Sequence, residues 1–113
     1  MEDLLNQIGN RILSRRKQLR MTQDELAEKA GITPQTVSTA ELGKKALRPE
    51  NIIRICSALE VSTDYLLLGE VNSRDHSALS SKISGLSPAQ YRHLEDIINS
   101  FLAALDEKGT QGR

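Results

Sequence analysis

Thr22 to Pro49 reads TQDELAEKAGITPQTVSTAELGKKALRP, two short helical patterns that meet at Gly31 with room only for a tight turn. The first opens with Thr22 and Glu25 in capping-box spacing, so that the hydroxyl accepts from one free backbone amide while the carboxylate reaches back to another. The second opens with Thr33-Pro34, a hydroxyl N-cap followed by proline at the first helical position, where the missing N–H would have had no partner. Ala27, Gly31 and Val37 complete the unit. They supply a small side chain at a close helix crossing, a residue tolerant of positive φ, and a branched apolar grip on the first helix.

Outward from this stretch, the 113 residues suffice for one small-cored domain with an appendage. Aromatic residues make up 3% and tryptophan is absent, while Leu, Ile and Ala dominate the apolar set, so an all-α protein is expected. Cys56 has no partner for a disulfide and reads as a small buried hydrophobe. The start MEDLLNQ has no apolar run of signal-peptide length, and no stretch approaches a membrane span. A reducing cytoplasm is the expected compartment.

Periodicity places helix 1 over Asp3 to Arg20, with Leu5, Ile8, Ile12 and Leu19 on one stripe. Arg16 falls on that same stripe and needs an acid; Glu41, one turn beyond Val37, is the expected partner in a buried, structural ion pair. Helix 2 is expected over Gln23 to Ala30, helix 3 over Pro34 to about Leu42, and helix 4 over Pro49 to Leu59. Helix 5 follows over Thr63 to Leu68, capped by Ser62 and stopped by Gly69.

Gln23 with Glu25-Leu26-Ala27, Gly31, Thr36-Val37-Ser38, Glu41-Leu42-Gly43-Lys44, Pro49 and the phrase ALEVSTDYLLLGE together resemble the lambda-repressor-like helix-turn-helix superfamily, in its Cro-like XRE group. The resemblance spans residues 5 to 70. It implies a five-helix domain that binds double-stranded DNA as a dimer, with its third helix in the major groove and its second across the phosphate backbone. Carried over residue by residue, Gln23 would donate to a phosphate from its side chain and backbone amide. Gln35 would read a base edge, and Thr33, Thr36, Ser38 and Thr39 would offer hydroxyls to bases or phosphates. Lys44 and Lys45 would lie over the backbone. The chain departs from the pattern at Pro34 and Leu42, where relatives often carry polar side chains, and in a loop from Gly43 to Pro49 about one residue longer than in some relatives.

Charge tempers this expectation, since 15 basic and 15 acidic side chains cancel and the pI is near 6.7. Through Gly69 there are 10 Lys/Arg against 9 Asp/Glu. One copy should therefore hold DNA weakly and need a second. Arg11, Arg15, Arg16, Lys17 and Arg20 crowd one helix, most of them open to two readings, a solvated face or a local basic patch for nucleic acid, and Lys44, Lys45 and Arg48 crowd one loop.

Residues 1–69 thus form the expected DNA-binding domain. Residues 70–86, rich in serine, read as a linker with an idle His76. Residues 87–113 hold a last helix: Ser87-Pro88-Ala89-Gln90 is a second capping box, and Tyr91, Leu94, Ile98, Phe101 and Leu105 repeat at 3,4,3,4 spacing until Lys108-Gly109. Ile97 and Leu102 widen the stripe, and His93 lies at its rim. So broad an apolar face needs a partner, and self-association into a homodimer is the expectation. The residues read as a sequence-specific transcriptional regulator, a repressor on a two-fold symmetric operator. The alternative is an adaptor or antitoxin-like protein whose last helix takes an antagonist or other regulatory protein. No nucleophile–base pair or metal-ligand spacing is legible, so neither an enzyme nor a cofactor nor a metal is expected.

Overall fold

A computed structural model describes residues 2–111, with side-chain surroundings for residues 3–106. Among the described residues seven helices follow one another: α1 Glu2–Gln18, α2 Gln23–Ala30, α3 Pro34–Glu41, α4 Pro49–Leu59, α5 Thr63–Leu68, α6 Ser73–Ser84 and α7 Pro88–Gln111. The backbone divides into two units between Ala78 and Leu79.

In the first unit, α1 packs against α3, α4 and α5, α4 packs against α5, and α2 closes against α3 and α4. Ile12, Leu26, Val37, Ile55, Leu59 and Leu66 are fully buried at the centre, with Ala27, Ala30, Ala40 and Ala58 where helices approach closely. Each large side chain so buried stabilises the fold by about 1.5–3 kcal/mol relative to exposure. Cys56 belongs to this core, and its Sγ faces the Ser62 carbonyl at 3.7 Å. Burial, with the Asp75 charge nearby, pushes its thiol up to about 11, so it stays protonated and unreactive near neutral pH.

The helix ends explain the expected boundaries and the departures from them. Thr22 and Glu25 form the reciprocal cap of α2, at 3.0 Å and 2.8 Å, and Gly31 ends that helix at φ 72°. Thr33 caps α3 and Ser62 caps α5. Helix α1 stops at Gln18, short of Arg20, because Arg20 itself takes the left-handed conformation at φ 59°. Glu60 does the same after α4 at φ 57°. A helix stop normally marked by glycine or asparagine is hidden when a long charged side chain performs it.

Residues 70–86, expected as a linker, contain a full helix. Its start is capped by a pair that serine-rich composition obscures: Asn72 Oδ1 accepts from the Arg74 N–H at 2.9 Å, and Asp75 Oδ2 accepts from the Asn72 N–H at 3.0 Å. This is the capping-box geometry built from Asn and Asp instead of Ser/Thr and Glu. Asp75 also accepts from the Ser62 N–H at 3.0 Å and the Ser62 hydroxyl at 2.6 Å, which fastens the first turn of α6 to the first turn of α5. In the second unit, Ser87 and Gln90 cap α7 reciprocally, and α7 continues to Gln111, past the stop expected at Lys108-Gly109.

Candidate nucleic-acid interface

The outer face of α3 is held out by what the inner face is fastened to. Arg16 donates from Nε to Glu41 Oε2 at 2.7 Å and from Nη2 to Glu41 Oε1 at 3.1 Å, and its Nη1 donates to the Met21 carbonyl at 2.8 Å. Both side chains are buried. Hydrogen bonding to Glu41 raises the Arg16 pKa above its ordinary value against the opposing effect of burial. Gln23 Nε2 adds a third donor to Glu41 Oε1 at 2.9 Å. One carboxylate at the end of α3 therefore ties together α1, α2 and α3, and its oxygens are well satisfied.

That arrangement gives Gln23 a structural task beside the phosphate contact that the resemblance implies. One N–H of its side-chain amide braces Glu41, and the second N–H lies at the same helix end as the Gln23 and Asp24 backbone N–H groups, which have no intrahelical acceptor and suit an anion.

Gly9, which periodicity alone passes over, fixes the other edge of α3. It is buried, and a Cβ there would lie 2.5 Å from the carbonyl oxygens of both Ala40 and Glu41. Helix α1 thus meets α3 backbone to backbone, a contact only glycine permits.

With Val37, Ala40 and Glu41 turned inward, Gln35 is exposed and Thr36, Ser38 and Thr39 are partly exposed. Thr33 and Thr36 share a hydroxyl hydrogen bond at 2.9 Å, and Gln35 Nε2 lies 3.5 Å from Thr39 Oγ1, a long contact that leaves the Gln35 amide largely available. Gln35, Thr36 and Thr39 line a groove of about 240 Å³ with Lys45, Arg48 and Asn51. Ser38 and Lys44 lie outside its lining. Spacing along the chain does not bring Arg48 and Asn51 to this groove; the fold of the loop between α3 and α4 turns the first residues of α4 toward α3. Leu42, at the C-terminal end of α3, is 58% exposed.

The basic cluster of α1 is largely structural. Arg11 Nη1 donates to the Leu66 carbonyl at 3.0 Å and Arg15 Nε to the Leu59 carbonyl at 2.9 Å, satisfying the C-terminal ends of α5 and α4. With Arg16 on Glu41, Lys17 and Arg20 are the exposed members of the cluster. Lys44, Lys45 and Arg48 are exposed beside α3.

In the second unit, Tyr91, Ile97, Ile98, Phe101, Leu102 and Leu105 are exposed, and Leu94 is half-buried. His93 is exposed, as is His76. Among the described residues no three His, Cys, Asp or Glu side chains gather closely enough to hold a metal ion, and no helix is long and apolar enough to cross a membrane.

The Helix-turn-helix family model matches residues 12–66. The chain is 42% identical over 59 residues to the uncharacterized HTH-type transcriptional regulator YqaE of Bacillus subtilis (strain 168), covering 52% of this chain and 51% of that one. It is 34% identical over 65 residues to repressor protein C2 of Salmonella phage P22, covering 58% of this chain and 30% of the repressor. The crystal structure of the P22 c2 repressor with a synthetic operator superposes with a TM-score of 0.54 at 35% identity, covering 56% of this chain and 96% of that one. A structure of the SinR protein/SinI protein complex matches with a TM-score of 0.54 at 27% identity, covering 85% of this chain and 98% of that one. The chain belongs to the lambda-repressor-like helix-turn-helix family. It spans about half the length of YqaE and under a third of the C2 repressor.

Proposed function

We propose that the chain is a sequence-specific DNA-binding transcriptional regulator, a repressor that occupies a two-fold symmetric operator as a dimer. The observation that carries this reading is the outer face of α3, where an exposed amide and hydroxyls share one groove with the Lys45 and Arg48 cations. Amides and hydroxyls read base edges in the major groove, whereas cations and helix N-termini hold phosphates and set register. Gln35 is the principal base reader; Thr33, Thr36, Ser38 and Thr39 assist, and Lys44, Lys45 and Arg48 grip the backbone. The regulator acts in the cytoplasm, without catalysis. Similarity to the P22 c2 repressor, whose solved structure holds a synthetic operator, supports the reading.

Near-neutral charge makes one copy a poor binder, so the Tyr91, Leu94, Ile98, Phe101 and Leu105 stripe of α7 brings in a second. A second reading has an antagonist protein seated on that stripe; similarity to the SinR–SinI complex structure over 85% of the chain favours it.

Selection of bound sites from random DNA tests the proposal directly, with a palindromic consensus as the expected result. On that consensus, Gln35→Ala should weaken binding by about 1–3 kcal/mol and relax preference at one base position. Equal losses on consensus and random DNA would remove Gln35 from the reading set, and an unenriched pool would sink the reading.

A further inference from the structure

Behind the loop that joins α3 to α4 lies an apolar cavity of about 130 Å³. Leu4, Leu5 and Ile8 of α1 form one side of it and Ile52 of α4 another. Ile8, Leu47 and Ile52 also pack against the buried core, which fixes those walls. The loop is pinned at both ends. At Gly43 it passes so close to α1 that a Cβ would strike Asn6 Oδ1, and at Arg48 its carbonyl accepts from the Asn51 and Ile52 N–H groups. Lys45, Ala46 and Leu47 lie between those two points.

These three residues, with Ala40 of α3, line both the cavity and the groove that holds Gln35, Thr36 and Thr39. The same short segment therefore walls both spaces, and whatever fills one bears on the other.

Size and charge define an occupant. A cavity of about 150 Å³ lined by Leu, Ile and Phe stays dry and takes benzene. The space behind the loop, of about 130 Å³ and lined by Leu, Ile and Ala, suits a compact apolar body of similar bulk. Lys45 is the one charged residue of its lining; it is exposed, and no carboxylate among the described residues holds it. No acidic side chain lines the cavity to repel an anion. We infer that this cavity binds a small carboxylic acid, its branched or aromatic body among Leu5, Ile8 and Ile52 and its carboxylate on Lys45, and that the bound acid antagonises DNA. The cavity stands on its own geometry, whereas the antagonism rests on the reading of the groove given above. An acid paired with Lys45 neutralises a cation that would otherwise meet a phosphate, and it sets a negative charge beside the groove. By linkage the acid and the DNA weaken each other by the same factor.

A methyl-resolved NMR titration of the full chain with benzoate and 3-methylbutanoate, at constant ionic strength, tests the site. Benzyl alcohol and 3-methylbutan-1-ol serve as neutral counterparts, and acetate as a charge without a body. Both acids should give saturable shifts of the Leu5, Ile8, Leu47 and Ile52 methyls, with dissociation constants of about 1 mM, the range open to ligands of so few atoms. Each should bind roughly threefold more tightly than its alcohol, the effect of one exposed ion pair. Lys45→Gln should erase that preference while the methyl shifts persist. Leu5→Trp, which fills the cavity from its rim, should abolish the Ile8 and Ile52 shifts while urea melts confirm the fold. The site is overturned by the absence of saturable shifts from either acid, by shifts centred elsewhere, or by shifts that acetate reproduces. Saturating benzoate should weaken binding to the selected consensus roughly threefold and make the salt slope shallower by about one per copy. Unchanged DNA affinity with the cavity occupied would overturn the antagonism. Because the shifts are read on the free protein, a chain that takes the acids but selects no DNA keeps the site and loses the DNA reading. One that selects a consensus and ignores the acids does the reverse.

Discussion

Gly9 shows how a single missing Cβ positions the DNA-facing surface. The two carbonyl oxygens that a Cβ would meet at 2.5 Å belong to the α3 backbone and cannot rotate away, so α3 itself must move. Gly9→Ala should therefore destabilise the fold by about 1–3 kcal/mol despite alanine's better helix propensity. It should also weaken DNA binding beyond what partial unfolding explains; urea denaturation together with binding below the transition separates the two effects. Arg16 and Glu41 form the other attachment of α3. Replacing Arg16 by methionine strands a carboxylate inside the head with only Gln23 as donor, and should cost about 3–5 kcal/mol in urea melts. The double variant Arg16→Met, Glu41→Leu should recover most of that loss, since the penalty lies in the unpaired charge more than in the absence of the pair.

At the scale of elements, the junction between α5 and α6 depends on Asp75. Burial pushes its carboxyl up, but the hydrogen bonds from the Asn72 N–H, the Ser62 hydroxyl and the Ser62 N–H, with His76 nearby, hold it below the ordinary 3.8. A depressed folded-state pKa means that the carboxylate contributes fully above 3.8, and that its contribution is lost as pH falls through the folded value. The first turn of α6 should accordingly loosen only at pH values below 3.8, read as movement of the Ser62 and Asn72 amide resonances in an NMR titration. Asp75→Asn should show that loosening already at neutral pH and flatten the titration. Thr33 at α3 follows the simpler rule of an N-cap, and its hydroxyl has the further neighbour Thr36 at 2.9 Å.

For the whole molecule, three exposed cations flank α3, while Arg11, Arg15 and Arg16 are engaged inside the head. If Lys44, Lys45 and Arg48 each neutralise one phosphate, log binding constant against log salt should slope roughly −3 per copy and about −5 for a dimer. A slope steeper than about −8 would mean that further cations such as Lys17 and Arg20 reach the backbone. Removing residues 87–113 should leave a folded head that sediments as a monomer and shows the shallower slope. A truncated chain that remains a tight dimer would place the dimer contact in the head, where Leu4, Leu42, Ile53, Leu68 and Val71 are the exposed large apolar residues among those described.

The features legible in the sequence are those governed by neighbours along the chain. Thr22 with Glu25, Gly31, Thr33 with Pro34, and Ser62 are local hydrogen-bonding and dihedral requirements, so the order and bounds of α2 to α5 could be read from spacing almost to the residue. The partnership of Arg16 with Glu41 was legible too, because a charge on an apolar stripe has few remedies. Contacts between residues distant in sequence were decided only by tertiary structure. Helix periodicity does not say that Gly9 meets a carbonyl 31 residues later, that Gln23 turns inward to Glu41, or that Arg11 and Arg15 satisfy the ends of other helices. Nor could serine-rich composition show that Asp75 would find Ser62 and begin a helix. Burial and the satisfaction of backbone groups are properties of the packed chain, and they exist only once the helices have met.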